Sequence, residues 1–271
     1  MNRFITGEKF RALADYTFVP RVKRGDDYYN LQNTFDPDKI KDGDIIYSDT
    51  GYAQELIDVV SKLDNQVVLI THNGDSGIDF APSDNVIKWY TQNVNIIHPK
   101  VESIPIGVEN SRWFPEVQKK EKMLNRLMIP KDYRGLMYMS HSIVTNPVTR
   151  TKLYQLFEGK PWVTSFRGSN RPNLFDQYLD NIDSHKFIIS PEGNGIDTHR
   201  TWECLYVESI PIEKRNINNQ FYADLPICFV DEWEEITEEF LNAEYKRITS
   251  QKWNIAKIDF DYWKNKILSI K

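Results

Sequence analysis

The sequence predicts an α/β protein made of two units, each a parallel sheet with helices packed on it. Three observations predict it. Short apolar runs bounded by turn residues alternate with stretches of helical apolar spacing, which is the signature of β-α-β units. That pattern runs from 43 to 107, stops across a charged stretch at 115–134, and restarts at 136. The chain has 271 residues, 40% hydrophobic and 27% charged, enough for two domains of about 100–150 residues each. The expected division is 1–130 and 131–271.

The first 40 residues are polar, aromatic and irregular. Gly43–Ser48 ends in turn residues and reads as a buried strand, and Gly51–Leu63 carries Leu56, Val59, Val60 and Leu63 at helical spacing. Gln66–Thr71 is a second buried strand, followed by the loop His72–Gly77. Val86–Tyr90 and Val94–Ile97 read as further strands. Ser103–Gly107 reads as an edge strand, because proline cannot donate to a central ladder. The charged helical stretch opening at Glu116, with Pro130 behind it, is the expected domain connection. Leu136–Met139 restarts the pattern, and Ser140–Asn146 is a polar loop. Pro147–Phe157 is a helix with proline in its first turn. Trp162–Thr164 is a strand, Leu174–Asn181 a helix and Lys186–Ser190 a buried strand. Ser209–Ile212 and Ile227–Val230 are short strands. Asp231 is expected to cap a helix holding Trp233, Ile236, Phe240 and Leu241. Asp261–Ile270 closes the chain as an amphipathic helix. Two Rossmann-like halves facing a cleft are the expected result, with ligands beyond the carboxyl ends of the strands.

Composition removes several function classes. A net charge of −5 makes a general nucleic-acid binder a poor fit. Two cysteines, Cys204 and Cys228, exclude a disulfide framework and offer no metal spacing. A reducing, cytoplasmic location is expected, since no run approaches a membrane span and the N-terminus lacks a signal-peptide core. The five histidines are scattered, with no zinc spacing. A phosphate-binding Gly-x-x-x-x-Gly-Lys-Ser/Thr loop is absent. So is a Gly-x-Ser-x-Gly hydrolase elbow.

The chemistry concentrates in Phe187–Glu203, which reads strand, glycine-bearing loop, helix start. Gly193 and Gly195 let the backbone approach a ligand. Asp197 or Thr198 can cap the helix, whose first N–H groups form an anion site. Arg200 stands in that first turn, where the helix dipole disfavours a cation unless an anion is near. His199 and Glu203, four residues apart, share a face. The same residues also fit a surface ion pair between Arg200 and Glu203 with a solvated His199.

Ser190-Pro191-Glu192-Gly193, His199-Arg200-Thr201-Trp202-Glu203 and Ile210-Pro211-Ile212 together resemble exostosin-like glycosyltransferases. One departure is Val207-Glu208-Ser209 where that family has glycine. The resemblance implies a GT-B-like fold with the nucleotide-sugar held by the C-terminal half. It also implies inverting transfer without a tightly bound metal and without a cofactor. The segment Ser140–Arg150 is similar to the donor site of fucosyltransferase-like enzymes, where an arginine contacts the diphosphate. That places Arg150 with Arg200 on the diphosphate, and Ser140 and His141 in the donor site. Glu203 would hold the ribose, and Ser190, Glu192, Gly193, Asn194, Gly195, Asp197 and His199 would complete the donor pocket. The expected partners are a nucleotide-sugar donor and a glycan acceptor.

An inverting transferase needs a base for the acceptor hydroxyl. Asp75 is the first choice, His72 the second and Glu109 a third. Arg167–Arg171 is a basic loop that could cover the phosphates, although a solvated loop also fits it. Asp36/Asp38 and Asp259/Asp261 follow no buried strand and read as turn or cap signals rather than metal ligands. A non-catalytic nucleotide-sugar or glycan-binding module fits the same pattern and would lack a working base in the 72–75 loop.

Overall fold

A computed structural model of the protein describes residues 3–21, 32–110, 117–167 and 175–270. The first sheet holds β1 (Tyr16–Phe18), β2 (Ile45–Asp49), β3 (Val67–His72), β4 (Val86–Thr91) and β5 (Val101–Ser103). They lie in the order β1-β2-β3-β4-β5, and every neighbouring pair is parallel. The second sheet holds β6 (Gly135–Met139), β7 (Val163–Ser165), β8 (His185–Ile189), β9 (Ile210–Lys214) and β10 (Cys228–Val230). Its order is β10-β9-β8-β6-β7, again all parallel. The fold is therefore α/β and GT-B-like, with two Rossmann-like parallel units. All six residues of β3 are buried. That requires cover on both faces and explains why the strands read as continuous apolar runs.

Read from β7, the second sheet runs 2-1-3-4-5. The direction of the chain reverses between β6 and β8, and the crevice at such a point is where open α/β sheets bind ligands. Two helices start there. α4 (Pro147–Phe157) has proline in its first turn, and the Asn146 side chain accepts from the Thr149 N–H. α6 (His199–Tyr206) buries Trp202, Leu205 and Tyr206, as its spacing suggested.

α6 also joins the halves. Trp202, Cys204, Leu205 and Tyr206 belong to the same buried cluster as the residues of the first sheet. Tyr206 Oη accepts the Ile5 N–H at 2.9 Å. A second cluster lies against the other face of the second sheet, around Leu153, Phe157 and Trp233. The last helix, α8 (Phe260–Leu268), packs on the N-terminal half. Phe260 meets Phe10 edge-on at 5.6 Å, and its N–H donates to Arg3 O at 3.0 Å.

Several expectations are corrected. The first 40 residues contain α1 (Gly7–Arg11), capped by the Thr6 side chain, as well as β1. Val94–Ile97 is not a strand. Asn93 adopts a left-handed φ of 58°, and Val94 keeps only one bridge, to Ile78. Its N–H donates to Asn218 Oδ1 instead, at 2.9 Å. β5 is the sheet edge but ends at Ser103, before Pro105. Asp231 does not cap a helix. It pairs with Arg215, while Glu232 and Glu235 cap a single 3-10 turn and Thr237 caps α7 (Glu238–Thr249). α3 (Val117–Arg126) occupies the charged stretch and is ion-paired to α5 (Phe175–Asp183) through Lys122–Asp176 and Arg126–Asp180. Glu116, Leu174 and 168–171 of the basic loop lie outside the described residues. Arg167 itself pairs with Glu158.

Candidate active site

Two arginines converge where the β6–β8 crevice opens. Arg150 projects from α4 and is held by four neutral oxygens. Nε donates to Glu192 O at 2.9 Å, Nη2 to Pro191 O at 3.2 Å, and Nη1 to Ser142 O at 2.9 Å and Thr145 Oγ1 at 2.5 Å. The approach is close at Gly193, where a Cβ would stand 3.1 Å from Arg150 Nη2 and push the guanidinium aside by a few tenths of an ångström. Arg200 lies over the Tyr178 ring, its Cζ 5.6 Å from the centroid, and its Nε is buried with no partner. Neither arginine makes an ion pair among the described residues. Burial, and then the charge of Arg200, push the Arg150 pKa down to about 10. Two half-buried cations that repel each other are costly without an anion to share.

His141 lies close enough to feel both charges and is 5% exposed. Its Nε2–H donates to Arg150 O at 3.2 Å, which leaves Nδ1 as an acceptor, buried and unpartnered. Burial, then Arg200, push its pKa down to about 3, so it stays neutral. Glu203 does not pair with Arg200. Its Oε2 accepts the Tyr178 hydroxyl at 2.6 Å. Glu192 is half-buried, with its carboxyl raised by burial and Oε1 accepting from Asn216 at 3.2 Å. Asn194 is exposed.

Other donor-site candidates point elsewhere. Ser140 is buried. Ser190 is 4% exposed and bonds the Thr198 and Thr201 hydroxyls at 2.8 and 2.9 Å, tying β8 to α6. Gly195 packs against Asn93 of the other half. Thr198 is the N-cap residue but makes no capping bond. Asp197 turns inward, only 8% exposed, and so is not a pocket carboxylate. His199 leaves the donor side altogether.

His199 reaches a cavity of about 250 Å³ in the N-terminal half, lined also by His72, Asn73, Asp75, Glu109 and Asn110. Its Nδ1 donates to Gly107 O at 2.7 Å, and Nε2 faces Glu109 Oε1 at 3.2 Å. Gly107 has φ 68°, and a Cβ there would strike Ile5 O at 2.2 Å, so only glycine presents that carbonyl. Burial opposes a charged imidazole, but Glu109 and the Gly107 carbonyl outweigh it and raise the pKa from 6.5 to about 9. A histidine raised on folding contributes stability that is complete below the unfolded value and lost as pH rises through the folded one. Urea unfolding of wild type against His199→Gln should therefore show its largest difference near pH 6 and almost none above about pH 9.

His72 does not fit the role of base. It is 1% exposed, its Nε2–H donates to Pro105 O at 3.0 Å, and Nδ1 accepts the Asn73 N–H at 2.8 Å. Both nitrogens are engaged, and burial lowers its pKa to about 4. Asp75 stands exposed on the cavity wall. The cavity residue Gln92 and its neighbour Asn93, which bonds the cavity wall, were missed in the sequence. Gln92 Oε1 accepts the Asn73 N–H at 3.0 Å, and Asn93 Nδ2 donates to Gly74 O at 3.1 Å. A polar pair directly after a buried parallel strand was the available signal, as with His72-Asn73. Glu213 was also missed. It accepts from Thr201 and Asn219, with burial pushing its carboxyl up to about 7.

By sequence, no family model and no curated protein matches the chain. Among solved structures it is similar to an α1,3-fucosyltransferase, at 12% identity over 83% of this chain and 75% of that chain, TM-score 0.46. It is also similar to α1,3-fucosyltransferase with GDP-fucose, at 12% identity over 87% and 78%, TM-score 0.43. A third is AviGT4, a glycosyltransferase involved in avilamycin A biosynthesis, at 9% identity over 83% and 85%, TM-score 0.35. At these scores the likeness provides no residue-by-residue correspondence.

Proposed function

We propose that the protein is a glycosyltransferase that moves a sugar from a nucleoside diphosphate sugar to a hydroxyl of a glycan or similar acceptor. The observation that carries this reading is the convergence of Arg150 and Arg200, neither of them in a salt bridge among the described residues, at the β6–β8 switch point. A diphosphate answers that charge, and the first N–H groups of α6 add to it. As the sugar leaves, negative charge grows on the diphosphate, and the two guanidinium groups stabilise it without reorganising. Glu203, with one oxygen occupied by Tyr178, offers the other to the ribose. The acceptor enters the cavity, and Asp75 takes its proton. Inversion and independence from metal follow the family resemblance.

The reading is tested by calorimetric titration with UDP and GDP and by assaying hydrolysis of a panel of nucleotide sugars. Micromolar to low-millimolar binding with slow hydrolysis is expected, and no binding of any nucleoside diphosphate removes the proposal. Chelation gives a second check. Asp36 is taken up by the Asp38 N–H and Lys39, and Asp259 by Arg3. Transfer is expected to survive EDTA, and loss restored by manganese would overturn the metal-free mechanism.

A further inference from the structure

Asp197 is the most completely bonded carboxylate in the crevice, and it binds across the two halves. Oδ2 accepts the Ile106 N–H at 2.7 Å, from the segment that carries Ile106, Val108 and Glu109 into the cavity wall. Oδ1 accepts the Thr198 N–H at 2.8 Å, and both oxygens take the Trp202 indole N–H, at 2.9 and 3.1 Å. The Asp197 N–H donates to Asn93 Oδ1 at 2.9 Å. One residue thus ties the wall of the N-terminal cavity to the first turn of α6, where Arg200 begins.

We propose that Asp197 is a positioning residue that fixes the 104–110 wall of the acceptor cavity against the start of α6. It thereby sets the span a sugar must cross between donor and acceptor. This rests on the reading of the two subsites above. Transfer depends steeply on that span, because displacement of about 1 Å can cost on the order of 10²-fold in rate. An apolar residue at 197 would leave three N–H donors unsatisfied, whereas a carboxylate answers all three. Burial raises the Asp197 carboxyl to about 6 despite those donors. The charged or titratable groups facing it are His199 from α6, Glu213 from β9 and Tyr222. Protonation below pH 6 puts an O–H where donors already point, so the tie to Ile106 weakens in acid.

The test compares wild type with Asp197→Asn, which keeps the size and loses one acceptor. UDP and GDP affinity should stay within about threefold. The kcat for hydrolysis of UDP-glucose or GDP-fucose, with water as acceptor, should fall ~10-fold or more with KM nearly constant. Hydrogen exchange at the Ile106 amide should speed up at least tenfold, and amides of β8 should not change. Unchanged Ile106 protection together with wild-type kcat would overturn the proposal. So would loss of UDP and GDP binding by a folded variant, which would return Asp197 to the donor pocket. If wild type binds no nucleoside diphosphate, the proposed function fails, and Ile106 exchange still decides the tie. If the variant does not fold, wild-type Ile106 protection measured from pH 7 to pH 5 replaces it. Protection should drop through about pH 6, and a flat profile overturns the proposal.

Discussion

Arg200→Ala is expected to weaken UDP and GDP binding ~10- to 150-fold. A charge-assisted bond to phosphate contributes roughly 1.5–3 kcal/mol, and each 1.4 kcal/mol is a factor of ten. Arg200→Lys should recover only part of that, because lysine lacks the forked donor pair. The fold should tolerate the alanine. Arg200 makes no ion pair among the described residues, its Nε is unsatisfied, and it stands at the positive end of α6. The substitution removes the guanidinium from over the Tyr178 ring and its attraction to Tyr178 and Glu203. Calorimetric titration beside thermal melts reads both effects. Wild-type affinity in the variant, or an unfolded variant, would show that Arg200 is structural and that the donor site lies elsewhere.

Asp75→Asn should lower turnover ~10²-fold or more while nucleoside diphosphate affinity stays nearly constant. The expected split follows from location. Asp75 lies on the wall of the N-terminal cavity and is exposed, whereas the arginines stand at the β6–β8 crevice of the other half. Stability should barely move, because the side chain is solvated. Full turnover in Asp75→Asn would shift the proton-accepting role to Glu109, the other carboxylate on that wall. His72 cannot take over, since both its nitrogens are already engaged.

Much of the fold was legible because it depends on local pattern. The Pro147–Phe157 helix follows from proline in a first turn and from apolar spacing, and it forms over those same residues. The buried strands β3 and β8 read as apolar runs because both faces of a parallel sheet are covered. Elements supported by long-range contact were illegible. β1 is three residues long and exists through its pairing with β2. Val94–Ile97 has a strand's composition, yet the left-handed Asn93 turns it away from the ladder and Asn218, 124 residues distant, takes its N–H.

The segment from Asp197 to Glu203 separates what the sequence by itself determined from what the tertiary structure decided. Sequence determined that a helix starts after the glycine-bearing loop, that Trp202, Leu205 and Tyr206 face the core, and that a cation stands in the first turn. These follow from backbone preference and helical period, which act over a few residues. Tertiary structure alone decided where Asp197, His199 and Arg200 go. Asp197 turns in to Ile106, His199 crosses to Glu109, and Arg200 stays over Tyr178. A helical period says which residues share a face. It says nothing of what stands opposite, and for Asp197 and His199 the groups opposite come from the N-terminal half, about 90 residues away. Tertiary surroundings set the charge states too: Glu109 and the Gly107 carbonyl hold His199 protonated against its burial, and burial raises Asp197 to about 6.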